Sequence, residues 1–164
     1  MNKPRRNLLK FAGLAGGIEA IQHLLGGLPA YATQAYEVTH SDAEWRALLN
    51  SAQYKVLRKA GTEYPFSSPL NQEKRAGEFV CAGCALPLFS SETKFDSGTG
   101  WPSFWRPLEN AIETHSDSTF GMTRVEVLCR RCGGHLGHVF KDGPPPTGLR
   151  YCMNGVAMVF KPKS

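Results

Sequence analysis

Cys152 is the cysteine whose sequence context best suits catalysis. It lies in the run Arg150–Phe160, where alternating aromatic and β-branched residues predict a strand. Because side chains two residues apart share one face of a strand, Arg150, Cys152 and Asn154 are predicted to point the same way. Positive charge beside a thiol lowers its pKa, so this arrangement favours a reactive thiolate. The alternative, from this strand alone, is an unreactive cysteine buried in the core.

The other four cysteines form two CxxC pairs. Pairs of this kind, each on a tight turn with glycine nearby, supply four thiolates to one tetrahedral zinc ion. Four thiolates close the coordination shell, so such a metal is structural and holds no catalytic water. Disulfides, a redox-active CxxC and iron–sulfur ligation are the alternatives. The predicted ligands are Cys81, Cys84, Cys129 and Cys132.

Two further segments could serve a catalytic cysteine. The loop Gly98–Phe104 carries Trp101, which either forms an apolar pocket wall or fills the core. His135 and His138 lie three residues apart and would not share a face on a regular strand. A bulge at Gly137 could bring the two rings together; otherwise only one of them faces the site. A cysteine with a histidine forms the nucleophile and acid of thiol chemistry.

The surrounding pattern predicts a mostly β domain preceded by a helix. Ser41 and Glu44 have the spacing of a capping box, and apolar residues then recur at helical intervals. We predict one amphipathic helix over Asp42–Lys59, ended by Gly61. Short apolar runs separated by glycine, proline and polar clusters fill the rest of the chain, as in a β domain.

Length and charge exclude some functions. The 164 residues suit one domain with a short extension. The net charge of +5 is uneven, because residues 1–32 contribute +3 and the remainder only +2. That remainder is too weakly basic to predict a nucleic-acid partner. Nothing in the sequence requires more than a monomer.

Residues 1–32 have the layout of a removable signal peptide, with a basic start, a weakly apolar middle and an Ala-Tyr-Ala end. The paired arginines followed by Leu-Leu-Lys resemble a twin-arginine signal. We predict cleavage after Ala32 and a periplasmic protein of residues 33–164. The alternative is an uncleaved anchor in the inner membrane, for which Glu19 and the glycines of the middle segment are poorly suited.

The order of these motifs resembles the methionine sulfoxide reductase B family, the peptide-methionine (R)-S-oxide reductases. The resemblance covers about residues 41–160. Several motifs in the same order are more specific than a CxxC pair alone. The matching segments are Cys81–Cys84, Lys94–Phe104, His135–Phe140, Asp142–Gly148 and Arg150–Asn154.

The resemblance implies a mainly β fold of two antiparallel sheets, with one or two N-terminal helices and a zinc ion remote from the active site. It implies that Cys152 attacks the sulfoxide sulfur and becomes a sulfenic acid, while a histidine, by preference His138, protonates the departing oxygen. Trp101 would contact the methyl group of the substrate. The other expected pocket residues are Phe104, His135, Asp142, Arg150 and Asn154.

One position departs from the family pattern. Many relatives have a cysteine in the Gly-x-Gly-Trp loop that attacks the sulfenic acid, whereas this chain has Thr99 there. With the CxxC cysteines assigned to zinc, we predict a one-cysteine reductase of oxidised proteins and peptides. An external thiol, from a thioredoxin-like or glutaredoxin-like protein or a small molecule, would reduce its sulfenic acid.

Two other functions are compatible with the cysteine pattern alone. A zinc-ribbon binding module would contact protein or nucleic acid through its loops and would give Cys152 no special role. A disulfide oxidoreductase would use a CxxC pair and would bind little zinc. The low charge of the chain beyond residue 32 weighs against nucleic acid as the partner.

Overall fold

The computed structural model describes residues 36–118 and 124–163 of the 164-residue chain. The predicted signal peptide, residues 1–32, lies outside the described residues, and its cleavage therefore stays a prediction. Within the described residues, no helix combines the length and the apolar character that crossing a membrane requires.

Helix α1 spans Asp42–Leu48 and begins at the predicted capping box. The Ser41 hydroxyl accepts a hydrogen bond from the Glu44 backbone N–H at 3.3 Å, and the Glu44 carboxylate accepts one from the Ser41 N–H at 2.7 Å. Trp45 is the buried residue of this helix. The helix therefore packs on the rest of the protein through one aromatic side chain.

Helix α2 spans Ser51–Lys59, and the predicted single helix is wrong because the chain turns at Asn50. The Asn50 backbone is extended, and its side chain accepts a hydrogen bond from the Gln53 N–H at 2.9 Å. The Gln53 side chain accepts one in return from the Asn50 N–H at 3.1 Å, which makes a second capping box. The helix ends at Ala60, in the left-handed conformation with φ of 50°, and not at Gly61.

Two antiparallel sheets account for the strands of the described residues, which confirms the predicted fold class. The strands are β1 Gly77–Cys81, β2 Pro87–Ser90, β3 Lys94–Phe95, β4 Ser103–Phe104, β5 Ile112–Asp117, β6 Arg124–Cys129, β7 His135–Phe140, β8 Arg150–Met153 and β9 Met158–Pro162. The smaller sheet has the order β2-β1-β9, and the larger has the order β3-β4-β8-β7-β6-β5.

Both sheets contribute to one hydrophobic core. The ring of Phe104 on β4 stacks on Phe89 of β2 with centroids 4.4 Å apart, and it meets Phe79 of β1 edge-on at 4.9 Å. All three side chains are fully buried, and each such burial stabilises the fold by about 2 kcal/mol. Phe104 was expected in the substrate pocket, whereas the structure places its ring in the core.

A bulge in β7 brings the two histidines of this strand together. The pairing of β6 with β7 shifts between Gly137 and His135, so that Leu136 is an extra residue on β7. The rings of His135 and His138 consequently lie 5.4 Å apart. Of the two alternatives left open by the sequence, the structure has the bulge, with Leu136 and not Gly137 as the extra residue. Glycine is required at residue 137 because a Cβ atom there would collide with the carbonyl oxygen of Cys152.

Candidate active site and metal-binding cluster

Cys152 lies on β8, between two strands that bring other polar groups to it. Ser103 of β4 is its partner on one side and His138 of β7 is its partner on the other. Directly paired residues of antiparallel strands share a face, so His138 and Cys152 open onto the same cavity. This cavity has a volume of about 150 Å³ and is lined by Thr62, Trp101, Arg124, Gly137, His138, Phe140, Cys152 and Asn154.

Burial and charge act in opposite directions on the Cys152 thiol. Burial raises its pKa, whereas the Arg150 guanidinium and the Thr99 hydroxyl lower it; Thr99 Oγ1 lies 4.0 Å from Cys152 Sγ. The balance leaves the pKa above the ordinary value of a thiol. Arg150 favours the thiolate as the sequence predicts, but the prediction omitted the cost of burial. The resting form at neutral pH is therefore the thiol.

Arg150 is fixed in place by two contacts. Its Nε and Nη2 atoms donate to the two carboxylate oxygens of Asp142, each at 2.9 Å, and its guanidinium lies 4.5 Å from the ring centroid of Phe140. The Asp142 side chain is 61% exposed and is not among the groups that line the cavity. Asp142 was expected to contact substrate, whereas its observed contact is with Arg150, beside the thiol.

The two histidines occupy different environments. His138 lines the cavity, and its Nε2 atom lies 2.9 Å from Asp117 Oδ2. His135 is only 3% exposed, with Nδ1 2.6 Å from Glu126 Oε1 and with Nε2 buried and unpartnered among the described residues. Burial lowers the pKa of His135, although Glu126 opposes this effect. His138 is therefore the histidine better placed to meet a ligand in the cavity.

Sequence reasoning missed three charged residues on β5 and β6. Arg124 lines the cavity and donates through Nη2 to Asp117 at 2.8 Å, and Asp117 also contacts His138. The alternation of Arg124 and Glu126 with Val125 could have placed both charges on one face of a strand. Asp117 could not have been found in this way, because its role depends on the pairing of two strands.

Glu63 was missed too, and it connects three parts of the site. Its carboxylate accepts hydrogen bonds from the backbone N–H groups of Gly155 at 2.5 Å and Val156 at 3.1 Å. Its backbone N–H donates to the Asn154 side chain at 3.0 Å, and its carbonyl accepts from Trp101 Nε1 at 3.2 Å. Burial raises the pKa of this carboxyl group, against the effect of the two backbone hydrogen bonds.

These contacts decide between the two interpretations of Trp101. The indole lines the cavity and is only partly buried, so it forms a pocket wall and does not fill the core. Asn154 also lines the cavity, and its Nδ2 atom donates to the Leu136 carbonyl at 3.0 Å. Both side chains are therefore held by backbone groups that lie outside the cavity lining.

The four CxxC cysteines form one cluster at the ends of β1 and β6. Their sulfur atoms all lie within 4.8 Å of one another, and separations of 3.7 Å and 3.5 Å join one pair to the other. Tetrahedral zinc with Zn–S bonds of about 2.3 Å requires sulfur atoms about 3.8 Å apart, whereas a disulfide needs about 2.05 Å. The donor set fits a metal ion. The cluster consists of Cys81, Cys84, Cys129 and Cys132.

The fold and the site thus combine a thiol-containing cavity on a β domain with a cluster of four cysteines that could hold a metal ion. Comparison with known proteins identifies a family with these features. A family model described as the SelR domain matches residues 49–162. Proteins named peptide methionine sulfoxide reductase MsrB are similar to this chain. The one from Agrobacterium fabrum is 56% identical over 127 residues, covering 77% of this chain and 94% of its own length.

Two further relatives of the same name show similar agreement. The protein from Pseudomonas putida strain W619 is 60% identical over 122 residues, which is 73% of this chain and 91% of the relative. The protein from Leptospira interrogans is 50% identical over 127 residues, which is 77% of this chain and 97% of the relative. The chain belongs to the MsrB family of peptide methionine sulfoxide reductases, and it is therefore an enzyme and not a zinc-ribbon binding module.

The effects of burial and of Arg150 on the pKa of Cys152 can be measured through the reaction of this thiol with iodoacetamide. We expect the pH midpoint of this reaction to lie above the ordinary thiol value of about 8.5. In Arg150→Gln the midpoint should rise further, because a charge that lowers the pKa is lost. Mass analysis of the Cys152 peptide gives the rate, and Arg46→Gln on α1 serves as the control. A midpoint below neutral pH, or no change in Arg150→Gln, would contradict this account.

Proposed function

We propose that this protein reduces methionine (R)-sulfoxide residues in oxidised proteins and peptides to methionine, with Cys152 as the nucleophile. The observation that supports this most directly is the pairing of Cys152 with His138 across β8 and β7, at a cavity walled by Trp101. Reduction of a sulfoxide by a cysteine requires a thiol nucleophile and a proton donor, and an apolar wall suits the methyl group of the substrate. The role of such an enzyme is protein repair under oxidative stress.

The proposed reaction begins at Cys152. Its thiolate attacks the sulfoxide sulfur, the sulfur–oxygen bond of the substrate breaks, and the oxygen ends on Cys152 as a sulfenic acid while methionine leaves. His138 is the proposed donor of the proton that the departing oxygen needs. Asp117, 2.9 Å from His138 Nε2, would hold the imidazole in its orientation. Arg150 offsets part of the cost of forming the thiolate in a buried place.

The wall of the cavity provides for recognition of the substrate. Trp101 offers an apolar surface to the methyl group of the sulfoxide, while His138 and Asn154 offer polar groups to its oxygen. A site with one apolar and one polar side can distinguish the two diastereomers, because exchanging methyl and oxygen would leave the polar groups unpaired.

A direct test uses a blocked peptide that carries either the R or the S diastereomer of methionine sulfoxide, with dithiothreitol as the electron donor. We expect turnover of the R form only. Cys152→Ser should lose at least about 10³-fold in kcat/KM, since a nucleophile is not replaced by neighbouring groups. Turnover of the S form, or an active Cys152→Ser variant with its metal retained, would refute the proposal.

Regeneration by an external thiol is the second part of the proposal. Thr99 Oγ1 lies 4.0 Å from Cys152 Sγ, at the position where many relatives carry a second cysteine, and a hydroxyl cannot form a disulfide. The chain has five cysteines, of which the other four lie in the metal cluster. A thioredoxin-like or glutaredoxin-like protein, or a small thiol, would therefore attack the sulfenic acid, releasing water and forming a mixed disulfide with Cys152. A second thiol of the reductant would then reduce this disulfide and return Cys152 to the thiol.

Replacing Thr99 by cysteine should restore an internal route. After one turnover without reductant, we expect a disulfide between residues 99 and 152 in Thr99→Cys, detected in peptide masses without reduction. Ser97→Cys is the matched control, because Ser97 bonds the Thr99 and Ser103 hydroxyls and not the Cys152 thiol. A disulfide from Cys152 to a metal-cluster cysteine in the wild type would contradict this part of the proposal.

The four-cysteine cluster is proposed to hold one structural zinc ion. With four protein thiolates the ion has no open position, so it would stabilise the fold and take no part in the reaction. The cluster lies at the end of β1 in the small sheet and at the end of β6 in the large sheet, so a bound ion would cross-link the two sheets and its binding would add to folding stability.

Metal content and thermal unfolding test the zinc proposal. Purified protein should contain one zinc per chain, and a strong chelator should lower its Tm by at least about 10 °C, because structural zinc contributes several kcal/mol. Cys152→Ser should keep its zinc, whereas Cys129→Ser should lose it. Equal Tm values with and without metal would argue against a structural ion, and an iron–sulfur absorption band would identify a different metal.

Export is the last part of the proposal. We propose that residues 1–32 direct the folded protein through the twin-arginine route, so that repair takes place in the periplasm. The support is the paired arginines and the Ala-Tyr-Ala sequence before residue 33. The intact mass of protein from the periplasm should correspond to residues 33–164, and Arg5→Lys with Arg6→Lys should abolish export. A full-length protein that stays in the membrane fraction would favour an uncleaved anchor.

A further inference from the structure

The turn beside the cavity exposes two large aromatic side chains. Tyr64 is 85% exposed and Phe66 is 73% exposed, and among the exposed large hydrophobic residues of the described chain these two are the aromatic ones. Aromatic rings in water are disfavoured unless they meet a partner, and they are enriched at the centres of binding surfaces. Two of them in one turn therefore indicate a contact surface.

The backbone keeps the turn in one conformation. Phe66 has a φ of 62°, in the left-handed region that a bulky residue rarely adopts. Its N–H donates to the Gly100 carbonyl at 2.7 Å, and the Ser67 hydroxyl donates to the Tyr64 carbonyl at 2.6 Å. The turn thus keeps a bulky ring at an unfavourable backbone position and still leaves that ring in water, which favours a role for the ring itself.

The turn is continuous with the rim of the cavity. Thr62, two residues before Tyr64, lines the cavity, and Trp101, next to Gly100, lines it as well. The backbone of Phe66 is hydrogen-bonded to Gly100, which precedes Trp101 of the cavity wall. The exposed rings therefore adjoin the rim of the cavity.

The size of the cavity determines which part of a protein substrate must lie outside it, on this rim. Sites that enclose a whole small molecule measure about 300–1,000 Å³, whereas this cavity measures about 150 Å³. It has room for one side chain and not for the polypeptide on either side of it. When a protein substrate inserts its methionine sulfoxide, the neighbouring residues must cross the rim.

We propose that Tyr64 and Phe66 form a docking surface for apolar residues that flank the oxidised methionine in a protein substrate. The inference rests on the proposed function and adds a preference to it. Methionine is among the residue types most often fully buried, so a methionine exposed by unfolding comes from an apolar core whose side chains become exposed with it. Two exposed rings beside the cavity offer those side chains a surface that excludes water.

The test compares three substrates with dithiothreitol as the electron donor. They are free methionine (R)-sulfoxide, a blocked peptide with the sulfoxide between leucines, and the same peptide with serines in place of leucines. The variants are Tyr64→Ser and Phe66→Asn, because asparagine tolerates the left-handed backbone at residue 66. Leu48→Ser on α1 is the control, since Leu48 is 60% exposed and no residue of α1 lines the cavity.

We expect the double variant to lose about tenfold in kcat/KM on the leucine peptide, through KM. Activity on the free amino acid and on the serine peptide should stay at the wild-type level, and Leu48→Ser should match the wild type on all three. An equal loss on all three substrates would overturn the inference, because the turn would then only support Trp101. An unchanged leucine peptide would overturn it too.

Two more outcomes distinguish this inference from a role of the rings in binding the reductant and from failure of the proposed function. If the variants were impaired only when a thioredoxin-type protein replaced dithiothreitol, the rings would contact the reductant, and the inference would be wrong. If the wild-type protein reduced none of the three substrates, the proposed function itself would fail and this inference with it. Activity of the wild-type protein on the three substrates therefore distinguishes failure of the proposed function from failure of the docking inference alone.

Discussion

The antiparallel pairing of β7 with β8 is the constraint on which the site depends. It sets His138 directly across from Cys152, and the bulge at Leu136 turns His135 toward the same region. Close approach of the two strands requires glycine at residue 137, where a Cβ atom would collide with the backbone of β8. One short strand pair therefore positions the thiol and both imidazoles, and the neighbouring strands supply the charges around them.

The site balances the burial of the Cys152 thiol against the need of the proposed reaction for a charged nucleophile. Burial raises the pKa of Cys152, and the Arg150 guanidinium offsets part of that effect because Asp142 holds it beside the thiol. A resting thiol is less open to unproductive oxidation, since the thiolate is the form that oxidants attack. On the proposed mechanism, Cys152 would become reactive in the cavity, where polar groups can favour the thiolate.

Features marked by short sequence motifs were predicted well from the sequence. Contacts between residues far apart in the chain were not. The CxxC pairs and the Cys152 strand have short, specific patterns, and the two-sheet fold follows from the family they resemble. The break at Asn50 was missed because apolar periodicity runs through it, although its capping box with Gln53 was readable. Glu63 could not be assigned, because its backbone partner Gly155 lies 92 residues away. Pairings of that range arise only when the chain folds.

Stoichiometry without a reductant tests the central claim most directly. Purified protein would be mixed with excess methionine (R)-sulfoxide peptide and dimedone, which traps sulfenic acids, and both methionine release and cysteine masses would be measured. The account predicts one methionine per chain and a dimedone adduct on Cys152, with the four CxxC cysteines unmodified. Methionine released while Cys152 stays unmodified and a CxxC disulfide forms would contradict it, because the electrons would then come from the cluster.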